Sequence, residues 1–498
     1  MIPGPLESMV LYLGLMHTYL RTACVCLSVV TLIVPLQGQI NWSDATSVAP
    51  STAGRNRPRV ATDAQGNPLI IWGNQGDVMF TRRENDAYVP PQQVNPDSVT
   101  IAEATWMGPD IAAHGDTVYI VYKQTPEDLA SSHVWCIRSF DGGKTFDDPV
   151  IVTQGGPEKS RFPAVTTTPD GHPIVAFMKF NSTFGEARWV VTRSDDYGAS
   201  FNPPILASNW SDPEADVCDC CPGTLVQADS TTVMLYRDNN SNLRDTWAGI
   251  SFDNGTSFEG GMNVDQQAWN IAACPASGPD GIVIGDTVYA TFMNGASGKA
   301  RVYLSASSAK TLKGARGRLL TENLPGLASQ NFPRIAHAQS SAAIVWKQEV
   351  NGTLEIPVAF AQDIINGISL QDEPVAAGRI DNPDVAISHE RIHVVWQDNE
   401  TREVRIRTGQ ILATPVSQVP GASLVWVFPN PAHDAWHLTG PSLPDQILLI
   451  DRSGKVHGVF TGTSDDGYTI RCDHLPSGMY YISYSVQDSN HLIPLMKF

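Results

Sequence analysis

The residues best equipped for chemistry gather in the middle of the chain. Asp216-Val217-Cys218-Asp219-Cys220-Cys221-Pro222 is followed by Tyr236-Arg237-Asp238, by Arg244-Asp245, and by Trp269-Asn270-Ile271-Ala272-Ala273-Cys274-Pro275. Thiols can oxidise in pairs, hold a metal as thiolates, or attack as nucleophiles. Three readings therefore stand for Cys218, Cys220, Cys221 and Cys274: a disulfide joining Cys274 to one of the others, a thiolate metal site, or a redox or nucleophilic thiol. Cys-x-Cys-Cys lacks the two-residue gap usual in a zinc knuckle, and no metal is assigned. Arginine's planar fork matches carboxylates and sulfates. Arg237 and Arg244 are thus candidate anion ligands, with Asp238 and Asp245 as candidate acids beside them.

A repeat positions these residues. Ser139-Phe140-Asp141-Gly142-Gly143-Lys144-Thr145-Phe146, Ser194-Asp195-Asp196-Tyr197-Gly198-Ala199-Ser200-Phe201 and Ser251-Phe252-Asp253-Asn254-Gly255-Thr256-Ser257-Phe258 share the pattern Ser-x-Asp-x-Gly-x-Thr/Ser-Phe. The copies lie about 55 residues apart, and a fixed period signals a repeat architecture. The segment makes local sense as a turn: Ser and Asp bond turn amides, Gly supplies positive φ, and Phe fills an apolar slot. Around each copy run a Pro, an alternating strand, a turn, and a second strand ending in an aromatic residue or Met. The Pro markers are Pro58, Pro109, Pro163, Pro222, Pro279, Pro333 and Pro383. A third and a fourth strand follow.

The three turns resemble the Asp-box of the sialidase-like, or BNR-repeat, β-propellers. The expected fold is all-β, with seven blades (six as the alternative) over residues 39–417. The stretch 41–51 reads as a fourth strand for the last blade, which would close the ring and remove two open sheet edges. In a propeller the start of the first strand and the end of the second share one face. Two concentric rings are therefore predicted around one mouth. The inner ring contains Arg57, Gly108, Arg161, Cys221, Gly278, Asn331 with Phe332, and Asp381 with Asn382. The outer ring is Gly73, Lys123, Lys179, Arg237, Asn294, Lys347 and Gln397. The cations among them, with Arg244 and Trp269, are the candidate ligand-binding residues for an anionic carbohydrate or surface polymer. The competing expectation is that the same cations pair with Asp238, Glu349, Asp381 and Asp398 and hold blades together. The Asp-boxes fall on the opposite face.

Sialidases hold the substrate carboxylate with three Arg and use a Tyr–Glu nucleophile pair and an Asp acid, an exception to the two-carboxylate scheme. Here the family's Phe-Arg-Ile-Pro signature is absent. Arg57-Pro58-Arg59-Val60 and Arg161-Phe162-Pro163 only approximate it. The cysteine segment, the Arg-Asp pair and the later Cys-Pro resemble a subgroup of BNR-repeat proteins. The sequence leaves three roles open: a non-catalytic glycan binder, a divergent glycoside hydrolase of acidic sugars, and a surface scaffold. No cofactor is called, although a structural cation on the axis is compatible with the fold.

The ends of the chain concern export. Arg21, the apolar run 23–36 and a small residue at Gly38 make a secretory signal over residues 1–38, which contains Cys24 and Cys26. Beyond Pro420-Gly421, residues 424–498 read as a small β-sandwich. Val427-Phe428-Pro429-Asn430-Pro431, Asp451-Arg452-Ser453-Gly454-Lys455 and Gly478-Met479-Tyr480 resemble the C-terminal sorting domain of the Bacteroidetes type IX secretion pathway. That resemblance implies outer-membrane secretion machinery as a partner and a secreted or cell-surface location. The net charge of −18 argues against nucleic-acid binding, which needs a basic footprint.

Overall fold

The computed structural model describes residues 40–50, 57–321, 324–388, 390–412, 426–428, 434–439, 446–451, 455–461, 468–486 and 489–497. The signal segment 1–38, the Pro420-Gly421 junction, Pro429-Asn430-Pro431 and Arg452–Gly454 lie outside them. The chain divides into two compact units, Met1–Ala413 and Thr414–Phe498.

In the first unit the described strands form seven antiparallel sheets, numbered here 1 to 7 in chain order. Their first strands are Arg59–Thr62, Asp110–His114, Lys159–Thr167, Thr224–Ala228, Asp280–Ile284, Leu327–Ala338 and Ile380–Ile387. Each first strand touches the first strand of the next sheet, and Ile380–Ile387 touches Arg59–Thr62, so the order closes on itself. That cyclic contact defines a β-propeller. Second strands such as Thr117–Lys123 and Thr231–Asn239 are buried along almost their whole length, because each sheet is covered on both faces by its neighbours. The core is accordingly a series of layers between sheets: Leu69 and Ile71 of sheet 1 pack with Val118 and Ile120 of sheet 2, and Val233 and Leu235 of sheet 4 with Val288 and Ala290 of sheet 5.

Closure uses the strand expected from residues 41–51. Ile40–Trp42 and Thr46–Pro50 pair antiparallel with Glu403–Ile411, in register Ile40↔Ile411 and Thr46↔Ile406. Sheet 7 thereby joins residues 40–50 to residues 403–411, and the Glu403–Ile411 edge is covered.

The Asp-boxes fold as their residue types dictate. Ser139 Oγ accepts from Gly143 N at 2.9 Å, while Asp141 accepts from Thr145 N at 2.9 Å and from Thr145 Oγ1 at 2.7 Å. The same three bonds recur from Ser194, Asp196, Gly198 and Ser200, and from Ser251, Asp253, Gly255 and Ser257. Gly143, Gly198 and Gly255 sit at φ +78°, +82° and +74°, where a side chain would be strained. Phe146 packs edge-on to Phe80 at 5.1 Å, and Phe201 and Phe258 close on apolar clusters. The first of these turns shares a rim with Asp63, Gln65 and Asn67, which follow the first strand of sheet 1 at the end away from Pro58.

The second unit contains a three-stranded sheet (Trp426–Phe428, Ala435–Thr439, Tyr468–Arg471) and a four-stranded sheet (Val456–Thr461, Gln446–Asp451, Gly478–Val486, Ser489–Lys497). Trp436, Leu438 and Ile470 from the first and Ile447, Leu449, Ile482 and Leu495 from the second share one core.

Candidate functional site at the ring mouth

Matching positions of successive sheets converge on one pocket. Arg57, Arg59, Trp106, Pro222, Gly278, Phe332, Arg334, Asn382 and Pro383 all line it, so Arg57, Gly278, Phe332 and Asn382 of the expected inner ring come together, while Gly108, Arg161 and Cys221 are not part of the lining. The backbone helps to aim these side chains. Arg57, Phe162, Phe332 and Asn382 have φ of +39°, +52°, +52° and +48°, each immediately before its Pro. Register shifts accompany them at Arg161/Ala164, Asn331/Arg334 and Asp381/Asp384. Bulges of this kind re-aim side chains at the rims of β structures, and left-handed non-glycine residues cluster at ligand clamps.

An ionic belt surrounds the axis. Asp384 accepts from Val60 N at 2.9 Å, Asp110 from Val165 N at 3.0 Å and Asp280 from Ile335 N at 2.9 Å. Each carboxylate thus stitches its sheet to the next. Arg334 bonds Asp384 at 2.7 Å and lies 3.3 Å from Asp280, while Arg59 lies 3.9 Å from Asp110. Burial works against the Arg334 charge, but Asp280 and Asp384 outweigh it and hold its pKa above the ordinary value. Burial, then repulsion from Arg59 and Arg334, drives the Arg57 pKa well down. Among the described residues no carboxylate lies within ion-pair distance of Arg57. The axis carboxylates each face a backbone N–H and an arginine, which leaves them poor ligands for an axial cation.

Of the expected ring cations, Lys123 and Arg237 are buried, and Lys179, Lys347 and Arg161 are each ion-paired. Lys123 is 1% exposed and donates to Ser132 O and to Ser160 Oγ, the latter at 3.0 Å. Its burial lowers the pKa to about 8. Arg237, equally buried, donates to Arg244 O at 2.7 Å, Met293 O at 2.6 Å and Ser277 O at 3.4 Å. Trp269 covers the Arg237 guanidinium at 5.2 Å and is itself buried. Lys347 bonds Asp381 of the next sheet at 2.7 Å, Lys179 bonds Glu158 at 2.7 Å, and Arg161 bonds Glu127 at 3.0 Å while lying over Phe184. The bonds of Lys123 to Ser160, Arg237 to Met293, Lys347 to Asp381 and Arg161 to Glu127 cross between sheets, and of the four carboxylates expected as partners Asp381 takes up one ring cation.

The candidate acids are also internal. Asp245 accepts from Asn263 Nδ2, Ala268 N and Trp269 N at 3.0–3.1 Å, so its oxygens are occupied. Asp238 is buried, and that burial raises its pKa to about 6. Neither lines the mouth pocket. Sequence reasoning missed Asp265, a buried carboxyl clasped by Asn294 Nδ2 and lifted to about 7 by burial and then by Asp245. It also missed Arg59, Trp106 and Arg334. The Pro-Arg pairs Pro58-Arg59 and Pro333-Arg334, against Pro-Asp in sheets 2, 5 and 7, were the available signal.

The sulfur cluster lies beside Arg244. Cys220 and Cys274 form a disulfide, in line with one of the expected pairings. Cys218 and Cys221 are free and buried, with their Sγ atoms 3.2 Å apart. Cys218 Sγ accepts from Arg244 Nη1 at 2.9 Å, and Arg244 Nε donates to Ile271 O. Cys218, Cys220 and Cys221 place their sulfurs within 4.8 Å of one another, a spacing a metal ion could use. The bond to Cys274 takes up Cys220, and the guanidinium occupies the open side of Cys218. Two thiols then remain, short of the four ligands of a closed site.

No family model matches the chain, and no curated protein matches it. Among solved structures it is similar to a protein of unknown function from Dyadobacter fermentans (TM-score 0.45, 10% identity, 75% of this chain and 99% of that one). It is also similar to the Penicillium chrysogenum alpha-L-arabinanase complexed with arabinobiose (0.44, 11%, 74% and 99%) and to the phage phi92 endosialidase (0.43, 10%, 92% and 87%).

Proposed function

We propose that this chain is an exported, seven-bladed propeller, one sheet per blade, that binds an anionic glycan or surface polymer at its mouth without turning it over. One observation carries the reading: the pocket lining brings together Arg57, Arg59 and Arg334 with Trp106, Phe332 and Asn382, and includes no carboxyl or phenol. Three guanidiniums suit a carboxylate or sulfate, while hydrolysis needs an acid and a nucleophile within reach of the bond. The cavity holds about 30 Å³, room for a charged group rather than a sugar ring. The rest of the ligand then lies over Trp106, which is 41% exposed.

The test is binding and turnover by the chain freed of residues 1–38, against sialosides, uronates and sulfated glycans. Arg57→Ala is expected to weaken binding at least tenfold. Undiminished binding by that variant overturns the location, and hydrolysis of any member favours the glycosidase alternative. A second reading, a surface scaffold with no glycan ligand, is favoured by the inter-sheet bonds of Lys123, Arg237 and Lys347. It predicts no binding to any member of the panel.

In the same proposal residues 39–417 form the propeller and residues 424–498 a small β-sandwich that addresses the chain to outer-membrane secretion machinery. Deleting residues 424–498 is expected to leave the chain in the periplasm of a type IX-secreting host. Its appearance outside the cell would refute that address.

A further inference from the structure

The four sulfurs of sheet 4 are arranged as two pairs at two depths. Cys274 is exposed and Cys220 half-buried, whereas Cys218 and Cys221 are fully buried. Cys218 and Cys221 also have the Cys-x-x-Cys spacing, on a turn closed by Cys221 N donating to Cys218 O at 3.2 Å. Cys218 Sγ lies 3.4 Å from Cys220 Sγ, a contact distance between a thiol and the sulfur of a disulfide. Arg244 donates to that same thiol sulfur, and its guanidinium favours the thiolate. From this placement we infer that the cluster is a thiol–disulfide relay, in which the buried pair Cys218/Cys221 exchanges two electrons with the surface pair Cys220/Cys274.

The steps balance within the chain. The Cys218 thiolate attacks Cys220 Sγ, forming Cys218–Cys220 and releasing the Cys274 thiolate, which takes up a proton. Cys221, losing its proton, then attacks Cys218 Sγ, forming Cys218–Cys221 and releasing the Cys220 thiolate. One disulfide and two thiols stand on each side, with no external oxidant. The two buried thiols differ as attacker and resolver must. Its hydrogen bond with Cys221, joined by Arg237 and Arg244, brings Cys218 down to about 6, while burial holds Cys221 up. Attack requires the thiolate, and a thiol titrating near ambient pH is close to the optimum nucleophile. An external thiol or disulfide meets the relay at Cys274, the exposed member. This activity is independent of the anion pocket.

The relay is read by mapping sulfur pairings in the full chain, purified without reductant, alkylated, digested and analysed by mass spectrometry. Wild type is expected to contain two populations: Cys220–Cys274 with Cys218 and Cys221 alkylated, and Cys218–Cys221 with Cys220 and Cys274 alkylated. Cys221→Ser removes the resolving thiol and is expected to accumulate Cys218–Cys220 with Cys274 alkylated. Should that variant fail to fold, a wild-type measurement decides. The reduced chain treated with oxidised glutathione is expected to carry the first adduct on Cys274 and then to form Cys218–Cys221. The inference is overturned if wild type holds Cys220–Cys274 alone after glutathione treatment. Stoichiometric metal on the thiols of the purified chain overturns it equally.

Discussion

The two rims of the propeller are held by opposite kinds of bond. On the Asp-box rim the Ser and Asp side chains of each box bond partners at most four residues away, and three copies repeat the same bonds in solvent-facing turns. On the mouth rim the partners are remote: Asp384 reaches Val60 across 324 residues, Arg237 reaches Met293 across 56, and Arg334 reaches Asp384 across 50. The first rim is built of local fixtures, linked from sheet to sheet by single bonds such as Arg138 Nη1 to Tyr197 O and Arg193 Nη1 to Thr256 Oγ1. The second is built of buried polar networks that join neighbouring sheets, Arg334 with Asp280 and Asp384 in one and Arg237 with the carbonyls of Arg244 and Met293 in another. Such networks strengthen bonds in their low dielectric and penalise any missing partner heavily. Damage on the two rims should therefore differ in size and in how far it spreads.

The largest effect is expected at Arg237. Arg237→Met keeps the apolar stem but leaves the carbonyls of Arg244 and Met293 without the donor they now have, beneath Trp269. The loss is expected at about 3–5 kcal/mol, the range for breaking a buried charged network, measured as the shift in denaturant midpoint of the propeller unit. A loss under 1 kcal/mol would mean that water or neighbouring groups replace the guanidinium, and the mouth network would be no more cooperative than the opposite rim.

Asp265 sharpens the comparison through pH. Its folded-state pKa of about 7 lies above the ordinary carboxylate value, so the folded chain holds a proton that the unfolded chain has lost between about pH 4 and 7. Stability from this group is therefore full below pH 4 and falls as pH rises towards 7, by roughly 2–4 kcal/mol. The groups facing it are Asp245, Arg237 and Asn294. Asp265→Asn is expected to flatten this decline in urea midpoints measured from pH 5 to 8. An unchanged slope would assign the decline elsewhere.

These differences also explain what the sequence could reveal. The Asp-boxes were readable because the partners of their Ser and Asp side chains lie inside one short string, and the closing strand was readable because residues 41–51 alternate without a neighbour. The Cys220–Cys274 bond falls among pairings the spacing left open, since only the fold brings residues 54 apart in sequence together. The outer-ring cations were placed at the correct ends of second strands, but their direction was not. Arg237 and Lys123 turn inward because carbonyls and hydroxyls of the adjoining sheet offer partners that a single repeat does not contain. The arginine pocket was half visible: Arg57 was found by its position before Pro58, while Arg59 and Arg334 belong to a charge pattern meaningful only once the first strands form a ring.

Smaller effects belong to the Asp-box rim. Gly143→Ala combines a left-handed backbone with a Cβ built 2.3 Å from the Phe80 ring, so Phe80 has to move. About 1–3 kcal/mol is expected, from strain and overpacking, and it should stay confined to sheets 1 and 2 in hydrogen exchange. Spread of the lost protection to sheets 4 and 5 would show that this rim is also networked.

The smallest expected change is Asp196→Ala. Hydrogen bonds from Ser200 and Ser194 hold the Asp196 carboxyl down to about 2, so its bonds are in place above pH 4 and are lost only as pH falls towards 2. Removing the side chain frees the Ser200 amide and hydroxyl to water, since the turn is exposed. A capping carboxylate in such a setting contributes about 1 kcal/mol. Gly198 N keeps its bond to Ser194 Oγ, so the turn itself should persist. The expected result is a midpoint shift of that size at pH 7 that narrows towards pH 2, with Asp141→Ala and Asp253→Ala giving equal and additive shifts. Additivity follows from independence. A triple variant that loses much more than the sum of its parts would place this rim in the same cooperative class as the mouth.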